Sequence, residues 1–308
     1  MVTTTPRTVF HEGELAVQRR AGVEAVAAKV GRYIHASLPP DHADFLSRQP
    51  FVVVAAQGAD ERVWASLIVG GAGFASALDD RRVHLGAAPA ASDALGTVFK
   101  TPRRAGILAI EFDTRTRIRV NGVAKRASDG ILVDVEEAFG NCPKFIQRRV
   151  PPEQLEIAPP LGGRSGTFLD AAQAEIVGRA DTFFIASVHA QRGADASHRG
   201  GRPGFVRVAP GGSKLRFPDY SGNRMFQTLG NIALDPRVGL LFPDWETGSV
   251  LELTGRAHVV WDEAQIAAWP GAERLIDVAI DAVKQHERAI PARWKLIEPS
   301  PLNPPLSR

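Results

Sequence analysis

The feature that most constrains the fold is a series of short apolar segments at near-regular spacing. The segments are rich in β-branched residues and are separated by breaks that contain Gly or Asp. In the first half of the chain they occupy residues 51–58, 64–71, 82–89, 104–113, 117–127 and 130–140. Short strands at such spacing, without long helices between them, are typical of an antiparallel barrel or sandwich. The chain is therefore predicted to be mainly β, with flanking helices (α+β).

The same series begins again after a Pro- and Gly-rich linker. A helix at 167–180 is followed by the apolar segments "TFFIASVHA", "GFVRVAP", "KLRFPDY", "VGLLFPDWE" and "VLELTGRAHVVWD". Residues 93–112 match residues 223–242 in order and type: a short helix, a Pro-Arg turn and a buried strand. A general likeness among antiparallel barrels can produce such a match. A duplicated unit explains it better and predicts two similar barrels that face each other within one chain, a pseudo-dimer.

The two ends of the chain have a helical pattern. Residues 14–36 are predicted to form one amphipathic helix and residues 41–48 a second, and the C-terminal segment is predicted to be helical with a break at Pro270. A chain of 308 residues suits two domains. The predicted division is a helical segment at 1–50, a first barrel at 51–150, a linker at 151–166, a second barrel at 167–262, and C-terminal helices with a Pro-rich tail at 263–308.

Composition narrows the class of protein. The formal charge is +3 and the arginines are scattered beside Gly or Pro rather than grouped, so we expect small anions as ligands and no nucleic acid. No apolar run approaches the roughly 20 residues that span a membrane, and the N-terminus lacks the pattern of a secretory signal. The single cysteine, Cys142, excludes an intrachain disulfide and fits a reducing cytoplasm. We therefore expect a cytoplasmic protein.

Familiar catalytic and metal-binding motifs are absent from the sequence. There is no G-x-S-x-G, H-E-x-x-H, P-loop or C-x-x-C, and His189 and His198 have no further ligands at metal-binding spacing. We therefore predict no metal site. What stands out is "FPDYSGNRMFQTLGN" at 217–231, where a strand passes into a helix with a lone Arg224 among turn formers. Such a junction exposes backbone N–H groups and suits an anion, although it is also an ordinary strand-turn-helix corner.

A second basic segment precedes it, "SHRGGRPGFVRV" at 197–208. Arg202 and Arg207 are five residues apart and would point to opposite faces of an extended strand. A kink at Gly204 would let both reach one pocket. The alternative is an exposed hairpin with solvated arginines.

Together these segments resemble the pyridoxamine 5'-phosphate oxidase-like FMN-binding split-barrel superfamily, and especially its long two-barrel members. "RPGFVR" is similar to the family's strand that begins with Arg and ends on a basic residue. "FPDYSGNRM" is similar to its phosphate-binding element, with Asn223 at the Ser position, Arg224 at the Arg and Met225 in place of a Lys. "DPRVGLLFPDW" and Gly255-Arg256 follow as in the family, and "FHEGELAVQRRAGV" and "FGNCPKFIQRR" extend the likeness to the first half.

The resemblance implies two split β-barrels with FMN held between them. It implies an FMN-dependent oxidoreductase that acts on a small organic substrate or a reduced nicotinamide, in some relatives with a reductase partner. The implied catalytic residues are His198 and Lys144. The implied cofactor-binding residues are Ser187, Arg199, Arg202, Phe205, Arg207, Asp219, Tyr220, Ser221, Asn223, Arg224, Leu229 and Asn231. Relatives of the fold also bind deazaflavin or heme, so a non-catalytic carrier or sensor is the alternative, with His189 or His198 as a heme ligand.

Departures from the family pattern limit the function. Val250 stands where true pyridoxamine phosphate oxidases have a Gln, and the C-terminus lacks their Arg-Leu-x-Pro-like signature, so we expect a different substrate. Cys142 is either a packed residue or part of the pocket wall near Lys144 and Gln147. The segment equivalent to the Arg224 turn in the first half, "PAASDALGTVFK", has no arginine, which predicts one cofactor per chain. Association of two chains into a homodimer is left open.

Overall fold

The computed structural model describes residues 9–71, 73–153 and 160–306. Three short helices come first, α1 (Glu12–Arg20), α2 (Glu24–Gly31) and α3 (Pro40–Ser47). The prediction of one helix over 14–36 is wrong, because the chain turns at Gly22, whose φ is +66°. Helix α1 begins with a capping box in which His11 accepts from the backbone of α1 and Glu14 accepts from the His11 N–H. Among the described residues, no helix is long and apolar enough to cross a membrane.

The first half forms a seven-stranded antiparallel sheet. Its strands are β1 (Phe51–Gln57), β2 (Val63–Val69), β3 (Ala75–Asp79), β4 (Arg82–Leu85), β5 (Arg103–Glu111), β6 (Thr116–Ala127) and β7 (Gly130–Gly140). Their spatial order is β2-β1-β5-β6-β7-β4-β3. The sheet encloses one apolar cluster, to which every one of its strands contributes.

The second half repeats this arrangement. After β8 (Arg148–Val150), β9 (Leu161–Gly166) and α4 (Ala171–Arg179) come β10 (Thr182–His189), β11 (Gly193–Gly200), β12 (Arg207–Val208), β13 (Lys214–Tyr220), α5 (Gln227–Leu234), β14 (Arg237–Pro243), β15 (Val250–Val260), α6 (Glu263–Ala267), β16 (Ala272–Glu287) and β17 (Lys295–Glu298). The order is β11-β10-β14-β15-β16-β13-β12, with β9 also paired to β16. Strand for strand, this is the order of the first sheet. The predicted mainly β, antiparallel fold is confirmed.

Three predicted elements are wrong. Helix α6 agrees with the helical prediction before Pro270, but beyond Pro270 the predicted helix is replaced by the 16-residue strand β16. Its pairing with both β13 and β15 outweighs the local helix propensity of its Ala, Lys and Gln residues. Strand β11, rich in small and polar residues, was not predicted, and the strand expected at 204–210 shrinks to Arg207–Val208. The second sheet therefore continues past residue 262, and the other proposed domain boundaries stay predictions.

The two sheets meet through a shared apolar cluster and two glycines. The cluster joins Phe51 and Phe112 of the first half to Phe184 and Trp245 of the second. On β5, a Cβ at Gly106 would lie 2.5 Å from the carbonyl oxygen of Ala194 on β11. On β14, a Cβ at Gly239 would lie 2.7 Å from the carbonyl oxygen of Val63 on β2. The contact is therefore reciprocal, as in the isologous interface of a two-fold dimer.

The C-terminal segment returns to the first half. Strand β17 pairs with β8, the strand that follows the first barrel. Gln147, which is buried, receives hydrogen bonds of 2.8 Å from the Ser300 N–H and from the Asn303 amide. The end of the described chain is thus fastened to the junction between the barrels.

Candidate functional site between the barrels

A cleft opens where β6 of the first sheet faces β11, β13 and the start of α5 of the second. It contains two small cavities of about 60 and 40 Å³. Both cavities touch the same residues at their shared boundary: Arg117, Cys142, His198, Arg199, Tyr220 and Gly222. Each half of the chain therefore contributes side chains to one site.

Strand β6 supplies two buried arginines. Arg117 and Arg119 alternate with Ile118 and Val120, so both point away from the first barrel's core toward the second sheet. Arg119 donates to Gln227 Oε1 at 3.1 Å and to Ser197 Oγ at 2.5 Å. Burial lowers the pKa of Arg119 to about 10, and the charges of Arg117 and Arg199 add to the fall. The guanidiniums thus crowd together in a site largely shielded from water.

His198 on β11 is held by one of these arginines. Arg117 Nη1 lies 2.7 Å from His198 Nδ1. A guanidinium only donates, so Nδ1 accepts and the ring proton lies on Nε2. Burial, followed by the charges of Arg117 and Arg199, lowers the pKa of His198 well below its ordinary value. His198 is therefore neutral, and its Nε2–H has no partner among the described residues. It can donate a hydrogen bond, but it is a poor proton acceptor.

Carboxylates balance only part of this charge. Asp219 lies 3.4 Å from Arg199 and 2.9 Å from Arg274, while Glu273 accepts from Arg274 and Arg224 at 2.5 Å each. Arg224 also donates to Ser221 Oγ at 2.9 Å. The lone arginine of the strand-to-helix turn is thus already paired with a carboxylate. Around the cleft, five described arginines face three carboxylates: Arg117, Arg119, Arg199, Arg224 and Arg274 against Asp195, Asp219 and Glu273.

The turn at residues 221–226 is strained. Arg224 and Phe226 have φ values of +67° and +63°, a region that residues other than glycine rarely adopt. The turn is held by Asn223 Oδ1, which accepts from the Met225 N–H at 3.0 Å, and by Gln18, which donates to the Met225 carbonyl at 3.0 Å. The Met225 side chain packs in an apolar cluster with Phe10 and Phe139. The departure from the family lysine therefore lies outside the cleft.

The structure gathers most of the residues predicted for the cofactor site. His198, Arg199, Asp219, Tyr220, Asn223, Arg224 and Leu229 line the larger cavity, and Lys144 and Phe205 line the smaller one. Cys142 borders both, so of its two predicted placements the wall of the cleft is the one observed. Ser221 supports Arg224 from behind.

Four predicted residues lie elsewhere. Ser187 accepts from the Asn231 amide at 3.0 Å, and Asn231 bonds His11, so this pair lies beside α1 rather than in the cleft. Arg202 donates to the Pro304 carbonyl, and Arg207 lies over the Trp269 ring on the outer face of the second sheet. The kink at Gly204 is present, with φ +93°, but it does not bring the two arginines into one pocket. That interpretation of the segment is wrong.

Sequence reasoning missed six residues of the cleft, some from each half of the chain. The larger cavity is also lined by Arg117, Arg119, Asn141, Ser197, Gln227 and Thr228. One signal was available in "RIRVN", where two arginines and Asn121 alternate with apolar residues along one strand. Such alternation places three polar groups on the face opposite the barrel core. That face contacts the other half of the chain.

A cluster of possible metal ligands lies outside the cleft. His11, Glu12 and His189 bring ligand atoms within 4.8 Å of one another. Nδ1 of His11 accepts from the Gly13 N–H at 3.1 Å, and Nδ1 of His189 accepts from two backbone N–H groups at 3.1 Å. Both Nε2 atoms therefore carry the proton, and they face Asn231 Oδ1 at 2.9 Å and Glu12 Oε1 at 3.3 Å. Neither ring has a lone pair free at Nε2 for a metal.

The two-fold-like contact also brings together a second group of interface residues, around Ser66, Asp93 and Glu252, that is equivalent in position to the cleft; we call it the second crevice. Gly122 and Gly255 mark equivalent β-bulges, and the residues three positions earlier are Arg119 and Glu252. The carbonyls of Ala194 and Val63 face the two interface glycines, Gly106 and Gly239. Ser197 and Ser66 each lie three residues after one of these carbonyls. In the second crevice Ser66 donates to Asp93 Oδ1 at 2.6 Å, and Glu252 is 1 % exposed.

The second crevice is therefore acidic. Burial raises the pKa values of Asp93 and Glu252, and each carboxyl lies beside the other. His286 Nε2 is 3.6 Å from Glu252 Oε2, and burial lowers the pKa of His286. Where the cleft holds an excess of buried arginines, this crevice holds two carboxyl groups.

Comparison with known proteins finds a family model for the second half of the chain. Residues 169–300 match the family model described as Pyridoxamine 5'-phosphate oxidase. The match covers most of the second barrel. This confirms the resemblance inferred from the sequence, and the matched segment includes β11, β13, α5 and their cleft residues. No curated protein matches the chain at a significant level.

Solved structures of low sequence identity match between 37 % and 41 % of the chain. A putative pyridoxamine 5'-phosphate oxidase from Lactobacillus delbrueckii is 17 % identical over 40 % of this chain and 97 % of its own, with a TM-score of 0.32. An FAD binding protein from Mycobacterium smegmatis is 14 % identical over 41 % and 100 %, with a TM-score of 0.27. HupZ from Group A Streptococcus is 10 % identical over 37 % and 91 %, with a TM-score of 0.31. Likenesses this low carry no argument about function.

Proposed function

We propose that the cleft binds the phosphate of flavin mononucleotide and that the protein is a flavin-dependent oxidoreductase. The observation that carries the proposal is the group of guanidiniums of Arg117 and Arg119, which are buried, and of Arg199, which is half-buried. The Nε atom of each has no hydrogen-bond partner among the described residues. Buried cations are costly unless a counter-charge accompanies them, so the group favours an anionic ligand. The match of the second half to the family model supports a flavin as that ligand.

The residues fit the phosphate end of the cofactor. A guanidinium matches phosphate oxygens two at a time, and the N-terminus of α5 adds partial positive charge at Gln227 and Thr228. The cavities, at about 60 and 40 Å³, are smaller than the roughly 300–1,000 Å³ usual for ligand pockets. They accommodate a phosphate-sized group but do not enclose a flavin ring. Flavin binding therefore requires the cleft to widen, and the strained turn at 221–226 is the segment we expect to move.

The protein's own groups prepare the site for redox chemistry, for which a bound flavin would supply the hydride acceptor. His198 offers a neutral N–H donor, and Arg117 fixes its tautomer. Phe145 and Tyr220, with ring centroids 5.1 Å apart, form an aromatic wall of the smaller cavity. Burial raises the pKa of Tyr220 to about 12, so its hydroxyl stays protonated at neutral pH. Lys144, beside them, would stabilise negative charge that develops near it.

The substrate we propose is a reduced nicotinamide or a small organic molecule rather than pyridoxamine phosphate. Val250, at the position of the family glutamine, is 2 % exposed within the apolar cluster between the barrels and offers no polar contact. A reductase partner, a homodimer and a cytoplasmic location remain part of this proposal. Deazaflavin stays an alternative cofactor. Nothing favours heme, because His189 and His198 are both buried and hydrogen-bonded through Nδ1.

The test is a titration of cofactor-free protein with FMN, followed by flavin absorbance and fluorescence. We expect saturation at one FMN per chain, because the second crevice places Glu252 where the cleft has Arg119. Arg199→Met should weaken FMN binding by about 10–100-fold, since it removes a charged phosphate donor. Arg202→Met is the matched control: it was predicted for the same site from sequence but lies outside the cleft, and its affinity should stay unchanged.

The bound flavin is then mixed anaerobically with NADH and NADPH. Bleaching of the flavin bands supports the oxidoreductase and identifies the donor. A protein that binds neither FMN nor FAD contradicts the proposal, and so does a Kd that responds to Arg202→Met but not to Arg199→Met. Bands that never bleach, with any nicotinamide or organic donor tried, would favour the carrier.

A further inference from the structure

A larger groove lies on the outer face of the second sheet, apart from the cleft. It has a volume of about 640 Å³ and shares no lining residue with either cleft cavity. Its floor is formed by β13, β15 and β16, and Trp269, after α6, closes one end with the Arg207 guanidinium 4.1 Å from its ring centroid. The proposed flavin site does not include this groove.

Strand register places cations on both sides of a small residue. Ala279 on β16 lies opposite Lys214 on β13 and opposite Arg256 on β15. All three are exposed on the outer face, since Leu215, Ala257 and Val278 beside them are buried. The Cα atoms of Lys214 and Arg256 are thus about two strand spacings apart, or roughly 9–10 Å. Neither side chain has a salt bridge or hydrogen bond to another described residue, and the methyl group of Ala279 leaves a gap between them.

The neighbouring row of side chains is already neutralised. Arg216 forms a paired contact with Asp277, which lies opposite it on β16, and His258 lies on the other side of Asp277. Lys214 and Arg256, on either side of Ala279, are thus the groove cations that a ligand could contact; Arg256 also acts on Asp235, whose pKa its charge helps to lower.

The first barrel shows what the same place looks like when the charge is balanced. A Cβ at Gly122 would lie 2.0 Å from the Asp134 carbonyl oxygen, and one at Gly255 would lie 2.1 Å from that of Ala279. Asp134 is therefore the counterpart of Ala279. It lies opposite Arg82, and its carboxylate is 3.7 Å from Lys125 Nζ. On the other side, Arg256 takes the place of Val123, which lies opposite Asp134 on β6. The second sheet therefore has one more cation at this place and a methyl group instead of the carboxylate.

We propose that this groove binds a small phosphorylated molecule with two linked phosphate groups. Two cations about 10 Å apart at the Cα atoms, with long flexible side chains, can close on a diphosphate placed over Ala279. The groove's volume lies within the range of ligand pockets and exceeds what a single phosphate needs. The proposal is independent of the flavin site, because the two share no residue.

Isothermal titration calorimetry with ADP at low salt tests the proposal. ADP and inorganic pyrophosphate should bind, and adenosine, which lacks phosphate, should not. Ala279→Asp should weaken ADP binding at least tenfold, because it restores the carboxylate found at Asp134 while leaving every groove cation in place. Asp134→Ala, the reciprocal change in the first barrel, is the matched control and should leave ADP binding at the groove unchanged.

Lys214→Gln combined with Arg256→Gln should abolish binding, and it keeps the proposal testable if Ala279→Asp does not fold. The proposal is overturned if unmodified protein binds neither ADP nor pyrophosphate at millimolar concentration. Equal ADP affinity in the unmodified and Ala279→Asp proteins would also overturn it. FMN titration of Ala279→Asp should give the affinity of the unmodified protein, so failure at the groove is distinguishable from failure of the flavin proposal.

Discussion

The two crevices between the barrels occupy equivalent places and carry opposite charge. In one, Arg119 reaches from β6 to Ser197 of the other sheet. In the other, Glu252 reaches from β15 toward Ser66, which donates to Asp93. The strand order, the bulge glycines and the serine are the same on both sides. The residue three positions before the bulge changes from a cation to a carboxyl group, and Val250 and Leu67 stand where the cleft has Arg117 and His198.

The difference shows that the backbone framework does not determine what the interface binds. Both crevices are buried and both are bordered by a hydroxyl group. One nevertheless has several arginines, while the other has two carboxyl groups whose pKa values are raised by burial. Function in this fold therefore depends on a few side chains grafted on a common scaffold.

Removing the arginine should have the largest effect. Arg119→Ala leaves Asp195, Ser197 and Gln227 without their buried partner, so we expect the free energy of unfolding to fall by about 3–5 kcal/mol. Glu252→Gln, its counterpart, removes a buried carboxyl whose pKa is already raised and should change stability by less than about 1 kcal/mol. Urea unfolding of the two variants at neutral pH measures both values. Equal losses would mean that the two crevices are energetically alike.

Substitution of either interface glycine by alanine should lower stability by a similar amount. Gly106→Ala and Gly239→Ala each force a methyl group against the backbone of the opposite sheet, so each should destabilise by about 1–3 kcal/mol. Thermal unfolding of both variants, with Gly178→Ala as a control, checks the reciprocity. Gly178 lies in α4, where an added Cβ meets no neighbour within 4 Å. A loss confined to one of the interface glycines would contradict the two-fold character of the contact.

Relieving Arg224 of its carboxylate should tighten anion binding. Glu273→Gln removes a negative charge beside the cleft and releases the guanidinium that it now holds. We expect FMN to bind about 3–10-fold more tightly, the size of a single exposed or half-buried charge contact. Fluorescence titration measures the change. Weaker binding would show that Glu273 positions Arg224 for the ligand rather than competing with it.

The acidic crevice should make stability fall with rising pH. The carboxyl pKa values of Asp93 and Glu252 are raised by burial, so their contribution to stability is fully present below the unfolded pKa of about 4 and is lost as the pH rises through their folded pKa values. Glu252→Gln should therefore lose less stability than the unmodified protein between about pH 4, near the unfolded pKa, and about pH 8. Urea midpoints at the two pH values measure it, and identical slopes would contradict the assignment.

Much of the fold could be predicted because its signals are local. Strands β7 and β13 agree with the predicted segments to the residue, and α4 begins at the Asp170 cap that precedes its apolar pattern. Strand β16 could not be predicted in this way. Its three Ala residues, with Leu275, Lys284 and Gln285, favour a helix, and it becomes a strand because β13 and β15 lie on either side of it.

Only the side of the cleft that the second half forms could be predicted from the sequence. Residues such as Arg199 and Tyr220 fall in segments that resemble a known family, so their pattern could be read along the chain. Arg119 contacts residues 78 and 108 positions away. Local periodicity places its side chain on a face but does not say what that face meets. The same limit explains the error at Arg207, whose spacing from Arg202 was read correctly while its neighbour, Trp269, lies far along the chain.

Both sheets lie on a single polypeptide, and this affects how such a site can change. In a dimer of identical chains, every substitution at the interface appears twice, so a change that improves one pocket is imposed on its twin. Here position 119 and position 252 are separate codons, and one can become Glu while the other stays Arg. Joining the barrels in one chain thus removes the symmetry constraint. The residues of the two crevices can then change independently of each other.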